Sequence, residues 1–148
     1  MIRNNKPPCV LIVGDEERNR VLLQEMIRSF GYRVETASDG VEALAGLKRG
    51  ADLVVLDSLV PSLDGFEVTR RIRDDAETAK VPVILVTCLE SRKDRMQAVK
   101  AGANGFISKP VDRTEIRNLI EAVLKTTNRE LVTTPGGLPR ERLREAPT

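Results

Sequence analysis

The chain has 148 residues, 41% of them apolar, with 24 basic against 22 acidic side chains and a formal net charge of +2. That length suits one domain with a real core plus a tail, and the intermixed charge leaves no basic stripe to bind nucleic acid. Histidine is absent, which excludes a phosphohistidine carrier, a His-ligated metal enzyme and a Ser-His-Asp hydrolase. No apolar run approaches a membrane span and no signal peptide precedes the first strand, so a cytoplasmic address without a membrane partner is expected. Cys9 and Cys88 stand alone, in or beside apolar strand runs, and read as buried small hydrophobes.

Residues 1–8 are polar and end in Pro7-Pro8, the pattern of a loose arm. Cys9 to Val13 is an apolar strand, and Gly14-Asp15-Glu16-Glu17 opens a helix. Leu22, Leu23, Met26, Ile27 and Phe30 keep helical spacing along it, and Gly31 supplies its stop. Residues 32–37 alternate, Tyr32, Val34 and Thr36 against Arg33 and Glu35, which predicts a half-buried edge strand. Asp39 with Glu42 marks a second helix start, and Val41, Leu44 and Leu47 give its expected buried stripe before Gly50.

The central strand spans 52–57: Leu53-Val54-Val55-Leu56 reads as buried on both faces, with Asp57 at its carboxyl end. Asp64 with Glu67 starts a helix running to about Asp75. Val81 to Thr87 is a fourth strand, with Pro82 near its beginning, where a missing donor does least harm. Ser91 with Asp94 starts a helix ending at Gly102, and Gly105 to Lys109 is a short fifth strand. Asp112 with Glu115 caps the last helix, whose Ile116, Leu119, Ile120, Val123 and Leu124 make the clearest amphipathic pattern in the chain. Beyond about Asn128 the character shifts to Thr133-Thr134-Pro135-Gly136-Gly137 and a charged end. The organisation expected is an arm at 1–8, a folded domain at 9–128 and a tail or linker at 129–148.

Strands alternating with helices through short connections demand an α/β fold with a mainly parallel sheet covered on both faces. Strands two and five have edge character, which matches the flavodoxin-like, doubly wound order 2-1-3-4-5 with five strands and five helices. In that order Asp15 with Glu16, Asp57, Thr87 and Lys109 all arrive at the carboxyl ends of strands. Carboxylates converging with a hydroxyl and a lysine suit a hard cation and a phosphoryl group.

The motifs Val10-Leu11-Ile12-Val13-Gly14-Asp15-Glu16, Leu56-Asp57 with Pro61 and Asp64-Gly65-Phe66, Val86-Thr87, Ala101-Gly102-Ala103 and Lys109-Pro110 resemble the receiver domain of two-component response regulators over residues 9–127. The resemblance implies that Asp57 is the phosphoacceptor and that Thr87 and Lys109 contact the phosphoryl group. It implies that Mg²⁺ is held by Asp15, Asp57 and the backbone carbonyl of Leu59, with Glu16 a further candidate ligand. It implies a conformational switch through Thr87 and Phe106, and a cis peptide at Lys109-Pro110. Asp64 and Asp112 are read as helix caps without a chemical role.

In one place the chain departs from the family pattern. The first residue of the strand-1 acidic pair is Gly14, so weaker Mg²⁺ binding is expected. The function implied is a phosphorylation-activated signalling switch. A partner histidine kinase or phosphotransfer protein supplies the phosphoryl group, and a downstream protein reads the helix 4, strand 5, helix 5 face. The chain then assists its own modification but is not a turnover enzyme. The resemblance implies that Leu59 and Leu89 flank the path of an attacking water and that Cys88, beside Thr87, narrows the pocket, so a slowly lost phosphate is expected. The alternative is a degenerate receiver, an interaction module independent of phosphorylation, which Gly14 motivates. A dehalogenase-type phosphatase would carry a second acid where Leu59 stands. A flavodoxin would cradle phosphate where Gly14-Asp15-Glu16-Glu17 would repel it.

Overall fold

The structure, a computed structural model, describes residues 7–14, 16–57, 65–87, 96 and 99–125. Five parallel strands pair in the order β2-β1-β3-β4-β5: β1 (Cys9–Val13), β2 (Arg33–Ala37), β3 (Leu53–Asp57), β4 (Val83–Thr87) and β5 (Gly105–Ser108). The helices are α1 (Glu17–Arg28), α2 (Gly40–Lys48), α3 (Gly65–Asp74), α4 (helical at 96 and 99–101, closing at Gly102) and α5 (Arg113–Lys125). The flavodoxin-like order expected from the sequence is the order observed. Each strand starts or ends within two residues of its expected bound.

The apolar runs of β1, β3 and β4 are wholly buried, and the pleat divides them between two cores. Leu11, Val13, Val54, Leu56, Val83 and Leu85 face α2 and α3. Val10, Ile12, Leu53, Val55, Ile84 and Val86 face α1 and α5. Burial on both faces explains the continuous Val/Ile/Leu runs, since each alternate residue meets a different helical layer. It also leaves the central strands rigid, so whatever stands at their carboxyl ends is held in place.

Two expected buried stripes shift. On α1 the inward line is Leu23, Ile27 and the half-buried Met26 and Phe30, while Leu22 falls outside it and is 58% exposed. On α2 the buried residues are Ala43, Gly46 and Leu47, and Val41 is 74% exposed. The reason is close approach: a Cβ on Gly46 would lie 3.1 Å from Leu11 Cδ2, so the helix packs on its smallest residues. On β2 the inward residues are Ala37 and the half-buried Val34, whereas Thr36 is exposed.

The caps at the two described sites form as read. The Asp39 carboxylate accepts from the Glu42 N–H at 2.8 Å, and the Asp112 carboxylate accepts from the Glu115 N–H at 2.8 Å. The Glu42 carboxylate reaches back to the Ser38 N–H at 2.7 Å, closing a reciprocal box. Asp64 lies outside the described residues. Cys9 is buried and free, and burial pushes its thiol up, in keeping with a small hydrophobe; Cys88 also lies outside.

At the amino ends of β4 and β5 one guanidinium gathers four acceptors. Arg73 of α3 donates to the carbonyls of Gly102, Ala79 and Val81 at 3.0, 3.1 and 2.6 Å and to Asn104 Oδ1 at 2.5 Å. Asn104, itself buried, also accepts from the Val83 N–H at 2.9 Å. Gly102 is required here twice over: its φ is +100°, and a Cβ would meet Arg73 Cγ at 2.9 Å. Arg73→Leu strips these acceptors of a charged donor, and should lower unfolding stability by about 2–4 kcal/mol in a urea titration. A loss under about 0.5 kcal/mol, the size of an ordinary surface substitution, would contradict this assignment.

Candidate functional site

The register of the sheet sets the site. Asp57, the last residue of β3, stands beside Val86 of β4, and Thr87, the last of β4, stands beside Ser108. Asp57 and Thr87 are both 2% exposed. Lys109 follows β5 directly; its N–H donates to the Thr87 carbonyl at 2.8 Å, and its Nζ donates to Asp57 Oδ2 at 2.9 Å. The lysine is thus tied to β4 by its backbone while its side chain crosses that strand to reach β3. The Lys109–Pro110 peptide is cis, as the resemblance implied.

A nearly buried carboxylate needs a local positive charge, because an unpaired one forfeits its hydration without return. Lys109 provides it while keeping 21% of its side chain exposed, so the ammonium is desolvated only in part. A charge-assisted bond of this length is among the stronger kinds available to a side chain.

Gly14 forms the wall on the β1 side. Its N–H donates to the Ala37 carbonyl at 3.1 Å, and its own carbonyl accepts from Arg20 Nη1 at 2.5 Å. Its backbone lies outside the left-handed region that favours glycine. A Cβ at this position would lie 3.3 Å from the Asp57 Cβ, 3.7 Å from Arg20 Cγ and 3.9 Å from Asp57 Oδ2. A side chain at 14 would therefore enter the crevice between Asp57 and Arg20.

The other candidates separate. Glu16 is exposed at the rim, where its carboxylate accepts from Asn19 Nδ2 at 2.6 Å. Phe106 is half-buried on β5, paired beside Leu85, and packs against the core under α2 and α3. Asp15, Leu59, Cys88 and Leu89 lie outside the described residues. Sequence reading missed Arg20. One signal could have found it: a cation four residues into a helix opposes the helix dipole and calls for a local acceptor.

For a divalent cation the donor chemistry fits. Asp57 offers a carboxylate at the crevice, and the remaining donors expected, the Asp15 carboxylate and the Leu59 carbonyl, are hard oxygens of the kind Mg²⁺ takes. Among the described residues no cluster of three potential ligands forms, so the set depends on Asp15 and Leu59.

The family model for the response regulator receiver domain matches residues 10–121. This chain belongs to that family. It is 42% identical over 104 residues to response regulator PleD of Caulobacter vibrioides, covering 70% of this chain and 23% of PleD. It is 34% identical over 116 residues to protein PilH of Pseudomonas aeruginosa, covering 78% of this chain and 96% of PilH. The crystal structure of the receiver domain of sensor histidine kinase PA1611 from Pseudomonas aeruginosa, which has magnesium coordinated in its active-site cleft, superposes with a TM-score of 0.73 at 31% identity, covering 81% of this chain and 99% of that one. The chain thus spans less than a quarter of PleD but nearly all of PilH and of the PA1611 receiver domain. The family is one of phosphorylation-dependent signalling switches in two-component systems rather than of classical enzymes. No described helix is long and apolar enough to cross a membrane.

The open space at Gly14 has a measurable consequence. Gly14→Asp adds a carboxylate beside Asp57, increasing the attraction for a hard dication. Saturating Mg²⁺ should raise the variant's Tm by about 3–5 °C more than it raises the wild type's. Equal shifts in the two proteins would show that a carboxylate at 14 does not reach the metal.

Proposed function

We propose that this domain is a switch operated by phosphorylation of Asp57. The observation that carries the reading is a carboxylate, 2% exposed at the end of the central strand, held by the Lys109 ammonium at 2.9 Å. An oxygen of Asp57 attacks the phosphorus of a phosphohistidine on a partner kinase or phosphotransfer protein. The O–P bond forms as the N–P bond breaks, and the imidazole leaves with the electron pair and takes a proton from solvent. Lys109 is placed to neutralise charge growing on the phosphoryl oxygens. Asp57, Asp15 and the Leu59 carbonyl would hold Mg²⁺, which supplies further neutralisation of those oxygens.

The Thr87 hydroxyl then hydrogen-bonds the phosphoryl group, and Phe106 follows on the neighbouring strand. Phosphorylation so biases a two-state element, and the face built by α4, β5 and α5 changes its affinity for a downstream protein. On this reading residues 9–128 form the switch, 129–148 a tail or linker, and the domain works in the cytoplasm without contacting nucleic acid itself. Support for the metal comes from the magnesium-bearing relative. Support for a kinase partner comes from the receiver family of two-component systems.

The test is incubation with a small phosphodonor and Mg²⁺, followed by intact mass. Wild type should gain about 80 Da, the mass of one phosphoryl group, and Asp57→Asn should gain nothing. A phosphate mapped to any other residue overturns the assignment. A wild type that gains no mass while still binding partners would instead support the second reading, a phosphorylation-independent module, which Gly14 favours.

A slow clock follows from the same site. At the positions that flank the approach of water in this family the sequence has Leu59 and Leu89, which cannot hydrogen-bond and orient a water, and Cys88 is a bulkier neighbour of Thr87 than alanine. The polar variants Leu59→Asn and Leu89→Glu should therefore shorten the half-life of the phosphorylated protein by about tenfold, roughly what one positioned polar group contributes to such a transfer. Unchanged decay would mean that the leucines do not guard the phosphate.

A further inference from the structure

Arg20 occupies a place that the proposed phosphorylation chemistry does not use. It is half-buried on α1, its Nη1 donates to the Gly14 carbonyl at 2.5 Å, and its stem crosses the space above the Gly14 Cα. The point that a Cβ on Gly14 would fill lies 3.7 Å from Arg20 Cγ and 3.9 Å from Asp57 Oδ2. So the Asp57 carboxylate has Lys109 bonded to it on one flank and the arm of Arg20 within a side chain's width on the other. Where the family pattern puts an acid, this pocket has a vacant Cβ position and a permanent cation beside it.

Resting on the assignment of Asp57 as phosphoacceptor, we propose that Arg20 holds the phosphoryl group from the β1 side and, by the same charge, weakens the pocket's grip on Mg²⁺. A guanidinium carries five N–H donors in a rigid fork, and the Gly14 carbonyl takes one of them. The fork matches the oxygens of a phosphoryl group. The charges point the same way. Around the crevice the described residues place two acids, Asp57 and, at the rim, Glu16, against two bases, Lys109 and Arg20. A near-neutral pocket attracts a dication poorly, whereas the added phosphoryl charge gives both bases a partner. The helix dipole adds to this, because Arg20 sits near the positive end of α1, where an anion is stabilised and a cation is not.

Two variants separate this role from mere packing of the loop between β1 and α1. Arg20→Met keeps the apolar stem and removes the charge; Arg20→Lys keeps both stem and charge. Calorimetric titration of the unphosphorylated proteins with Mg²⁺ alone should show Arg20→Met binding about fivefold tighter than wild type, with Arg20→Lys close to wild type. Each protein is then phosphorylated with a small phosphodonor, the metal is chelated, and the rise in Tm caused by the phosphoryl group is read. Wild type should show the full rise, Arg20→Lys most of it, and Arg20→Met little. Unchanged or weaker Mg²⁺ binding by Arg20→Met overturns the proposal, as does a lysine variant that follows the methionine one or a Tm rise equal in all three. Failure of the underlying assignment looks different: wild type would gain no phosphoryl group at all. That would remove the phosphoryl half of the proposal, while the Mg²⁺ titration would still decide the charge half.

Discussion

A carboxylate in a crevice almost closed to water must be neutralised where it stands, and the bond from Lys109 to Asp57 meets that requirement from two strands away. The geometry ties three strand ends together. The Lys109 backbone is fixed to the Thr87 carbonyl, and its side chain passes the end of β4 to reach β3. Removing one member of such a pair leaves the other charge stranded, at a cost of about 3–5 kcal/mol when burial is complete and less here, where the ammonium is partly wet. A change of charge at Asp57 is therefore felt at Lys109 and, through its backbone bond, at the end of β4. That coupling is what a switch needs, and it depends on β3 and β4 being held firmly by two buried faces.

The opposite end of the sheet is secured by a different chemistry. Arg73 donates to three carbonyls and the Asn104 amide oxygen, all neutral acceptors, and so joins α3, the close of α4 and the approaches to β4 and β5. The β4–β5 pair thus has a permanent clamp at its amino end and an ion pair at its carboxyl end. Neutral acceptors keep their bonds through any change of charge at the crevice. An ion pair does not, since its strength follows the charge of its partner. The ion pair therefore makes the carboxyl end of the sheet, where Asp57 lies, sensitive to charge in a way these neutral contacts are not.

Much of this was legible in the residues. Continuous apolar runs at 9–13, 53–56 and 83–86 announce strands buried on both faces, and Asp39 and Asp112 announce helix starts. The edge character of β2 and β5 was enough to choose the strand order. Asp57, Thr87 and Lys109 could be placed at strand ends, and the fold brings these three into one crevice. One misreading has a clear cause. Apolar spacing located Val41 on the buried face of its helix, yet α2 packs through Ala43 and Gly46, because small residues permit the closest approach to Leu11. Hydrophobicity shows which residues favour burial; contact distance decides which face is buried. The Arg73 clamp was invisible for a related reason. Three of its acceptors are backbone carbonyls spread over residues 79–102, and carbonyls leave no trace in a sequence.

The same limit applies to Gly14. In sequence it reads as a subtraction, an acid missing from a pair. In the structure the space is shared by neighbours that a sequence does not place side by side. The backbone there does not call for glycine, and the Gly14 N–H is already committed to the Ala37 carbonyl, so no local conformational need explains the residue. What the absence of a side chain does is let the methylenes of Arg20 lie over the β1 terminus and bring the guanidinium to the Gly14 carbonyl. An acid at 14 would meet that arm directly and engage its charge. The glycine and the arginine are therefore best understood as one feature, in which the absent side chain leaves room for the arginine arm on the β1 side of the crevice. The electrostatic character of this crevice follows from that pairing more than from either residue alone.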